Sequence, residues 1–343
     1  MHHFCTYFDS RFLTRGLALY RSLLRHAQPF VLHTLCLDDA AFAAVAQLDE
    51  PNLRPISLEQ LERFDPDLLN AKANRNLVEY YFTCTPILPL YVMDQFPGVD
   101  LVSYVDADLY FFAGPEPIFN ELGSGSVLIV GHRYPPQLEH LKKYGSYNVG
   151  LLTFRSDAEG RRCLRWWRQQ CLDWCYERLE ETRYADQKYL DQWPQRFSGV
   201  VEARHKGLNL APWNVGAYQL RYDHRTIMVE DDRLIFYHFH RLKQIGPRLY
   251  DLGLDQYQTT PNRLVIKHIY QPYLRQLRQL RRQTPAARTG NLRLPGPRDG
   301  RDLLRTLLYK HTMFHVGPVL TPVHLEPIVR PLLRMREATR KAA

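Results

Sequence analysis

Between Leu101 and Phe112 the chain reads LVSYVDADLYFF. A β-branched and aromatic run of this kind is expected as a buried strand. It nevertheless carries two carboxylates, Asp106 and Asp108, separated only by Ala107. Unpaired carboxylates inside so apolar a run are costly to bury. In an extended chain, residues two apart face the same way, with a rise of about 3.3 Å per residue. The two acids are therefore expected to face one spot from about 7 Å apart, a spacing that suits one cation between them. The plainer alternative is a strand end with two solvated acids.

The sequence before this stretch sets its context. His2 to Phe8 reads as a strand, followed by a helix with Leu13, Leu17, Tyr20 and Leu24 at helical spacing. A strand at Phe30 to Leu37, a helix at Asp38 to Leu48, a short strand at Leu53 to Ile56 and a helix capped at Ser57 follow. This β-α-β-α-β order predicts a mainly parallel sheet with helices on its faces. Such sheets bind ligands beyond the carboxyl ends of their strands. Thr6, Tyr7, Phe8 and Asp9 leave the first strand at such an end and are candidates for holding a nucleotide. The chain has no G-x-G-x-x-G at that turn and no G-x-x-x-x-G-K-[ST], which argues against dinucleotide-dependent dehydrogenases and P-loop NTPases.

Further along, a helical region from Ala71 to Phe96 is expected to break near Pro86 and Pro89. Asn148-Val149-Gly150 opens a strand at Leu151 to Phe154, and Ser156 with Glu159 suggests a capping box for a helix reaching about Glu181. Tyr218 to Tyr222, Thr226 to Val229 and Leu234 to Phe239 read as short strands of a small subsheet. Arg263 to Arg282 is an Arg-rich amphipathic helix, followed by a Pro/Gly/Arg linker and short helices at Leu303 to Leu308 and Ile328 to Met335. The division expected is a first unit over 1–255 and a basic helical extension over 256–343.

Charge supports that division. Of 45 Lys and Arg and 36 Asp and Glu, 15 and 4 fall in 271–343, so the body is near neutral and the tail is basic. A basic tail suggests an anionic membrane surface or an acidic partner. Few aromatics interleave with its Arg residues, which argues against nucleic acid. The six cysteines lack a C-x-x-C spacing and are expected as buried free thiols. No signal-peptide pattern opens the chain, and no apolar run approaches a membrane span. A cytoplasmic protein, with peripheral contact to the inner face of the membrane, is the expectation.

An apolar strand ending in D-x-D, an N-x-G about forty residues later, the pair Asp186-Gln187, and a late H-x-x-x-x-K starting at His238 together resemble a GT-A-type glycosyltransferase, family 8 above all, the group that includes glycogenin and bacterial galactosyltransferases. The resemblance covers roughly His2 to Lys243. It implies a GT-A-like, Rossmann-like α/β fold and transfer of a sugar from a nucleotide-diphosphate donor, a UDP-sugar above all, to a glycan or lipid-linked acceptor with retention. It also implies a Mn²⁺ or Mg²⁺ ion on Asp106, Asp108 and His238, with His240 as competitor for the third position. Asp106, Ala107, Asn148, Gly150 and Asp186 would contact the donor, Gln187 would lie beneath the anomeric carbon, and Lys243 would contact the diphosphate. The family's Arg before the D-x-D is missing from Tyr80-Tyr81-Phe82, leaving Lys72 or Arg75 for that contact. The late motif departs from the family's H-x-x-G-x-x-K-P-W: Arg241 stands at the Gly position, Lys243 is one residue early, and no Pro-Trp follows. Trp213 and Asn214 are acceptor-side candidates, since an aromatic face can stack on a sugar.

Other readings of the same residues remain. A haloacid-dehalogenase-type phosphohydrolase also uses D-x-D, but as D-x-D-x-[TV] and on the first strand. A sugar nucleotidyltransferase would want a Gly-rich, Arg-containing loop after the first strand. A base at Asp186 or Asp191 on the far face of the sugar would give inversion. A binding protein without catalysis is the remaining class.

Overall fold

The central sheet has seven strands: β1 (His2–Phe8), β2 (Phe30–Cys36), β3 (Leu53–Ser57), β4 (Leu101–Val105), β6 (Val127–Gly131), β7 (Tyr147–Arg155) and β8 (Val200–Glu202). The strand numbered β5 (Leu109–Phe111) stands outside it. In the computed structural model of the protein the described residues are 1–246, 248–260, 262–284, 313–316 and 320–322. The strand order is β3-β2-β1-β4-β7-β6-β8. β3, β2, β1 and β4 run parallel, β7 is antiparallel to β4 and β6, and β8 is parallel to β6. This is the mainly parallel, Rossmann-like sheet expected from the sequence.

The helices come from local signals. α1 (Leu13–His26) and α2 (Asp39–Ala46) connect the first three strands, and Asp38 caps α2 by accepting from the Ala41 N–H. α3 (Leu58–Phe64) starts in a reciprocal capping box of Ser57 and Gln60. The region before β4 is three helices, α4 (Asp67–Asn74), α5 (Leu77–Cys84) and α6 (Ile87–Gln95). Its first break is a capping box of Asn76 and Glu79, not a proline. Pro86 is the N-cap of α6, and Pro89 lies in the first turn, where a missing N–H costs no helical bond. α7 (Glu116–Leu122) precedes β6.

After β7, α8 (Ala158–Asp173) is capped by Asp157 accepting from the Gly160 N–H, and Ser156 bonds Arg161 instead. The expected Ser156–Glu159 box is therefore one residue off, and the helix ends eight residues before Glu181. A 3₁₀ segment (Lys188–Gln192) and α9 (Trp193–Arg196) lead to β8. The small subsheet contains β9 (Leu220–Asp223), β10 (Thr226–Val229) and β11 (Asp232–Arg233). The next strand, β12 (Phe236–His238), is not in it and pairs with β5. β13 (Lys243–Gln244), β14 (Leu249–Asp251), β15 (Met313–Val316) and β16 (Leu320–Pro322) form a last sheet. The Arg-rich helix begins as π-helix over Val265–Tyr270 and continues as α10 (Gln271–Gln283). The expected helices at Leu303 to Leu308 and Ile328 to Met335 lie outside the described residues.

Alternation along β1 sends Phe4 and Phe8 to one apolar cluster and Cys5 and Tyr7 toward the other. The second cluster holds Tyr104, Leu152, Trp167 and Trp193. The first collects Leu17, Tyr20, Phe111 and Tyr237 together with Tyr273, Leu277 and Leu280 of α10. α10 thus spends its apolar face on the core beside α1. All six cysteines are buried and free. Among the described residues no helix is long and apolar enough to cross a membrane.

Helix α1 lies close on β1 because Gly16 has no side chain: an added Cβ would sit 2.1 Å from Cε1 of Phe8. Ala at a helix interior gains up to about 1 kcal/mol over Gly, whereas forcing a methyl into a packed core costs about 1–3 kcal/mol. Gly16→Ala is expected to lose about 1–2 kcal/mol in a denaturant titration. An unchanged or raised midpoint would show that the Phe8 ring has room to move.

Candidate metal centre and cleft

β4 ends at Val105, and the acids do not continue it. The Leu109 N–H donates to the Asp106 carbonyl at 3.1 Å, closing a turn across Asp106-Ala107-Asp108. This corrects the extended spacing of about 7 Å expected above. The turn gathers the carboxylates: one ligand atom each from Asp106, Asp108 and His238 lie within 4.8 Å of one another.

His238 arrives from far along the chain by strand pairing. β12 runs antiparallel to β5, with Phe236 opposite Phe111, Tyr237 opposite Tyr110 and His238 opposite Leu109. The Phe239 N–H then donates to the Asp108 carbonyl at 3.0 Å. His238 Nε2 is 3.1 Å from Asp108 Oδ1 and 3.6 Å from Asp106 Oδ2. The cluster contains His238 and not His240.

The ring of His238 is oriented from behind. Its Nδ1 lies 3.3 Å from Asn148 Oδ1, an acceptor that also takes the Gly150 N–H at 3.1 Å. Donation from Nδ1 leaves Nε2 for the carboxylate side, the usual support of a metal-ligating imidazole. Because β7 is antiparallel to β4, its first residues lie at the carboxyl end of β4, and the Asp106 N–H donates to the Gly150 carbonyl at 3.0 Å. Gly150 must be glycine here: a Cβ would be 2.5 Å from Asn148 Oδ1 and 2.8 Å from His238 Nδ1. Asn148 Nδ2 faces His132 Nε2 at 3.3 Å and Gln187 Oε1 at 3.4 Å, tying the His238 support to Gln187. Tyr104 donates to Asp106 Oδ1 at 2.8 Å. Arg15 Nη1 lies 3.6 Å from Asp108 Oδ2.

The electrostatics follow from these contacts. Burial pushes Asp106 upward, the His238 charge pulls it down, Asp108 adds repulsion, and the balance is raised. Burial also acts upward on Asp108, but His238 and Arg15 outweigh it and hold that carboxyl well below the usual range. Burial disfavours charge on His238, yet Asp108 and Asp106 more than compensate and raise its pKa. Burial brings His132 and His240 down to about 3, so both are neutral. Two hard carboxylates and one imidazole fit a small divalent cation such as Mg²⁺ or Mn²⁺.

The centre lies in a cleft of about 680 Å³. Tyr7, Phe8, Asp9, Asp106, Ala107, Asp108, Asn148, Asp186, Gln187, Trp213 and His238 all line it. Asp186 is buried, and burial pushes its pKa up to about 7, against a hydrogen bond from Thr85. Gln187 is pinned by donating from Nε2 to the Tyr144 carbonyl at 3.0 Å. Asp9 caps the turn into α1, accepting from the Arg11 and Phe12 N–H groups, and pairs with Arg11. The Trp213 ring sits edge-on to His132 and His238. Asn214 is spent on the loop, donating to the carbonyls of His132 and Asn209.

Thr6 is fully buried, and Gly150 lies behind His238 rather than at the cleft surface. Lys72 pairs with Glu62 at 2.6 Å, and Lys243 sits in β13 opposite Asp251; neither lines the cleft. Arg75 donates to the carbonyls of Cys171 and Leu172. Arg241, by contrast, lines the cleft and has φ +59.

Sequence reasoning missed Tyr104 and Arg15, and also Tyr257, which lines the cleft. Tyr104 carried a usable signal, since it is two residues from Asp106 near the end of a strand. Arg15 carried none, because its partners are distant in sequence.

Fold and site together define an α/β protein with a ligand-sized cleft over a triad that could hold a cation, at the carboxyl end of β4. The Bacillus subtilis protein YfnF is 32% identical over 244 residues, 69% of this chain and 80% of its own length. YfnD of the same organism is 29% identical over 280 residues, 81% of this chain and 89% of YfnD. The chain belongs to the family of YfnF. No protein-family model matches it. Among solved structures, the galactosyltransferase LgtC in complex with donor and acceptor sugar analogs aligns over 76% of this chain and 98% of its own, at 17% identity and a TM-score of 0.48. Mouse xyloside xylosyltransferase 1 aligns over 70% and 98%, at 14% identity and 0.45. The glycosyltransferase GlyE of Streptococcus pneumoniae TIGR4 aligns over 82% and 63%, at 16% and 0.47.

Gly150→Ala tests the support of His238. Loss of such support typically costs 10- to 100-fold in metal affinity. Mn²⁺ titration of the folded variant should show a loss of about tenfold or more, and wild-type affinity would mean that Asn148 does not orient the ring.

Proposed function

We propose that the protein is a metal-dependent glycosyltransferase that moves a sugar from a nucleotide-diphosphate donor, a UDP-sugar above all, to a glycan or lipid-linked acceptor. The observation that carries this reading is the convergence, in one cleft, of the Asp106–Asp108–His238 triad with Asn148, Asp186 and Gln187. A leaving nucleoside diphosphate gains negative charge as the sugar departs. A divalent cation, Mn²⁺ or Mg²⁺, supplies Lewis-acid stabilisation of that charge when bound. Asp106, Asp108 and His238 would hold it.

The remaining groups position the donor. Tyr7, Phe8 and Asp9, at the carboxyl end of β1, flank the same cleft and would hold the nucleoside. Asp186, with a pKa of about 7, can donate or accept a hydrogen bond to sugar hydroxyls near neutral pH. Gln187 has no titratable group, and its amide is fixed by Tyr144 and Asn148. A fixed neutral amide beside the reacting carbon suits retention with same-face attack better than base-assisted inversion. Asp191, the other candidate base, accepts from the Ser146 N–H and does not line the cleft.

A D-x-D-x-[TV] phosphohydrolase on the first strand is disfavoured, because Tyr110 stands at the [TV] position and the motif follows β4. The absence of a Gly-rich loop after β1 likewise weighs against a nucleotidyltransferase. We assign catalysis to 1–255, with α10 packed on that unit as a brace. Cytoplasmic placement, with the basic tail toward an anionic surface, stays part of the proposal.

Thermal unfolding with UDP, GDP and CDP tests the reading, with and without Mn²⁺. A ligand at about 100 times its Kd adds about 2.7 kcal/mol, or about 4 °C in Tm for a chain of this size. UDP with Mn²⁺ should give that shift, and Asp108→Asn should abolish it. No response to any nucleotide with any metal would sink the proposal.

A further inference from the structure

Among the described residues Arg15 is the buried Arg or Lys that faces the Asp106–Asp108–His238 triad, and the mechanism above does not use it. It sits in the first turn of α1, with 4% of its side chain exposed. A guanidinium does not lose its proton in a protein, so this is a permanent positive charge. Among the described residues its one carboxylate partner is Asp108. Its Nη2 donates to the Leu242 carbonyl, and its guanidinium lies 4.6 Å from the centre of the Phe12 ring. Asp108 is therefore divided: Oδ1 faces His238, and Oδ2 faces Arg15. Arg15 thus touches both segments that supply the triad, the Asp106–Asp108 turn and the chain after β12.

The charge count decides what this arrangement favours. In the metal-bound form the ligands are two ionised carboxylates and a neutral imidazole, which give −2, and Arg15 brings the sum to −1. A divalent cation entering this centre leaves +1, which a bound diphosphate can offset. Without Arg15 the cation would be neutralised by the protein alone.

We propose that Arg15 is a positioning residue that couples metal to donor: by cancelling one carboxylate charge, it makes the centre hold a divalent cation tightly only in company with an anionic diphosphate. The inference rests on the glycosyltransferase reading for the identity of that anion. The coupling is reciprocal, so the diphosphate is held tightly only with the metal. Release of the leaving nucleoside diphosphate and of the metal are then linked events.

Calorimetric titration of Mn²⁺, alone and with saturating UDP, tests this on the full chain and on R15Q, R15M and R15K. A positive charge removed from the cation's surroundings should tighten bare Mn²⁺ binding about tenfold or more in R15Q and R15M. The factor by which UDP tightens Mn²⁺ should fall about tenfold in the same variants, and R15K should keep both near wild type. A purely structural role for Arg15 predicts the opposite sign, weaker Mn²⁺ binding. Unchanged or weaker bare-metal binding in a neutral variant with wild-type circular dichroism overturns the inference. If neither neutral variant folds, R15K decides: retained coupling with a lowered Tm supports it, and lost coupling overturns it. If UDP leaves Mn²⁺ binding of the unmutated protein unchanged, the nucleotide-sugar reading fails, while the bare-metal titrations still decide the role of Arg15.

Discussion

The pairing of β5 with β12 is the constraint on which the site depends. Asp106 and Asp108 are local to each other, but a third ligand must come from elsewhere. The register that sets His238 opposite Leu109 brings it there. That register is fixed by apolar packing, since Phe111, Tyr237 and Phe236 are buried in the same core as Phe4 and Tyr273. A one-residue slip would turn every side chain of β12 to the other face. The triad is thus held in place by the hydrophobic effect acting on its flanking strands.

Antiparallel β7 does the corresponding work on the other side. It delivers Asn148 and Gly150 to the carboxyl end of β4, where Asn148 supports His238 and reaches toward Gln187. Two backbone conformations uncommon for residues with side chains also lie in this cleft, Ala185 at φ +48 and Arg241 at φ +59. Arg241 keeps a backbone that glycine adopts readily, at a cost of about 1–2 kcal/mol. Its side chain adds a cationic group to the cleft.

Much of this was legible in the sequence for identifiable reasons. The β-α-β opening follows from hydrophobic period and from the cap at Ser57, and residues of the D-x-D, N-x-G and D-Q elements come together around one cleft. Errors arose where long-range pairing overrides local pattern. Leu234 to Phe239 alternates like a subsheet strand, yet its partner is β5. The D-x-D looks extended, yet a hydrogen bond from Leu109 to Asp106 turns it. Lys72 and Lys243 were chosen by position, whereas their side chains are placed by Glu62 and by the β13–β14 pairing. Arg15 could not have been read at all, because only the folded chain sets α1 beside the D-x-D turn and Leu242.

The central claim is that Asp106, Asp108 and His238 form one cation site. Anomalous diffraction from crystals soaked in Mn²⁺ and UDP tests it most directly. A single manganese peak in bonding contact with a carboxylate oxygen of each acid and with Nε2 of His238 is the expected result. A peak on His240, or none within reach of both carboxylates, would contradict the account.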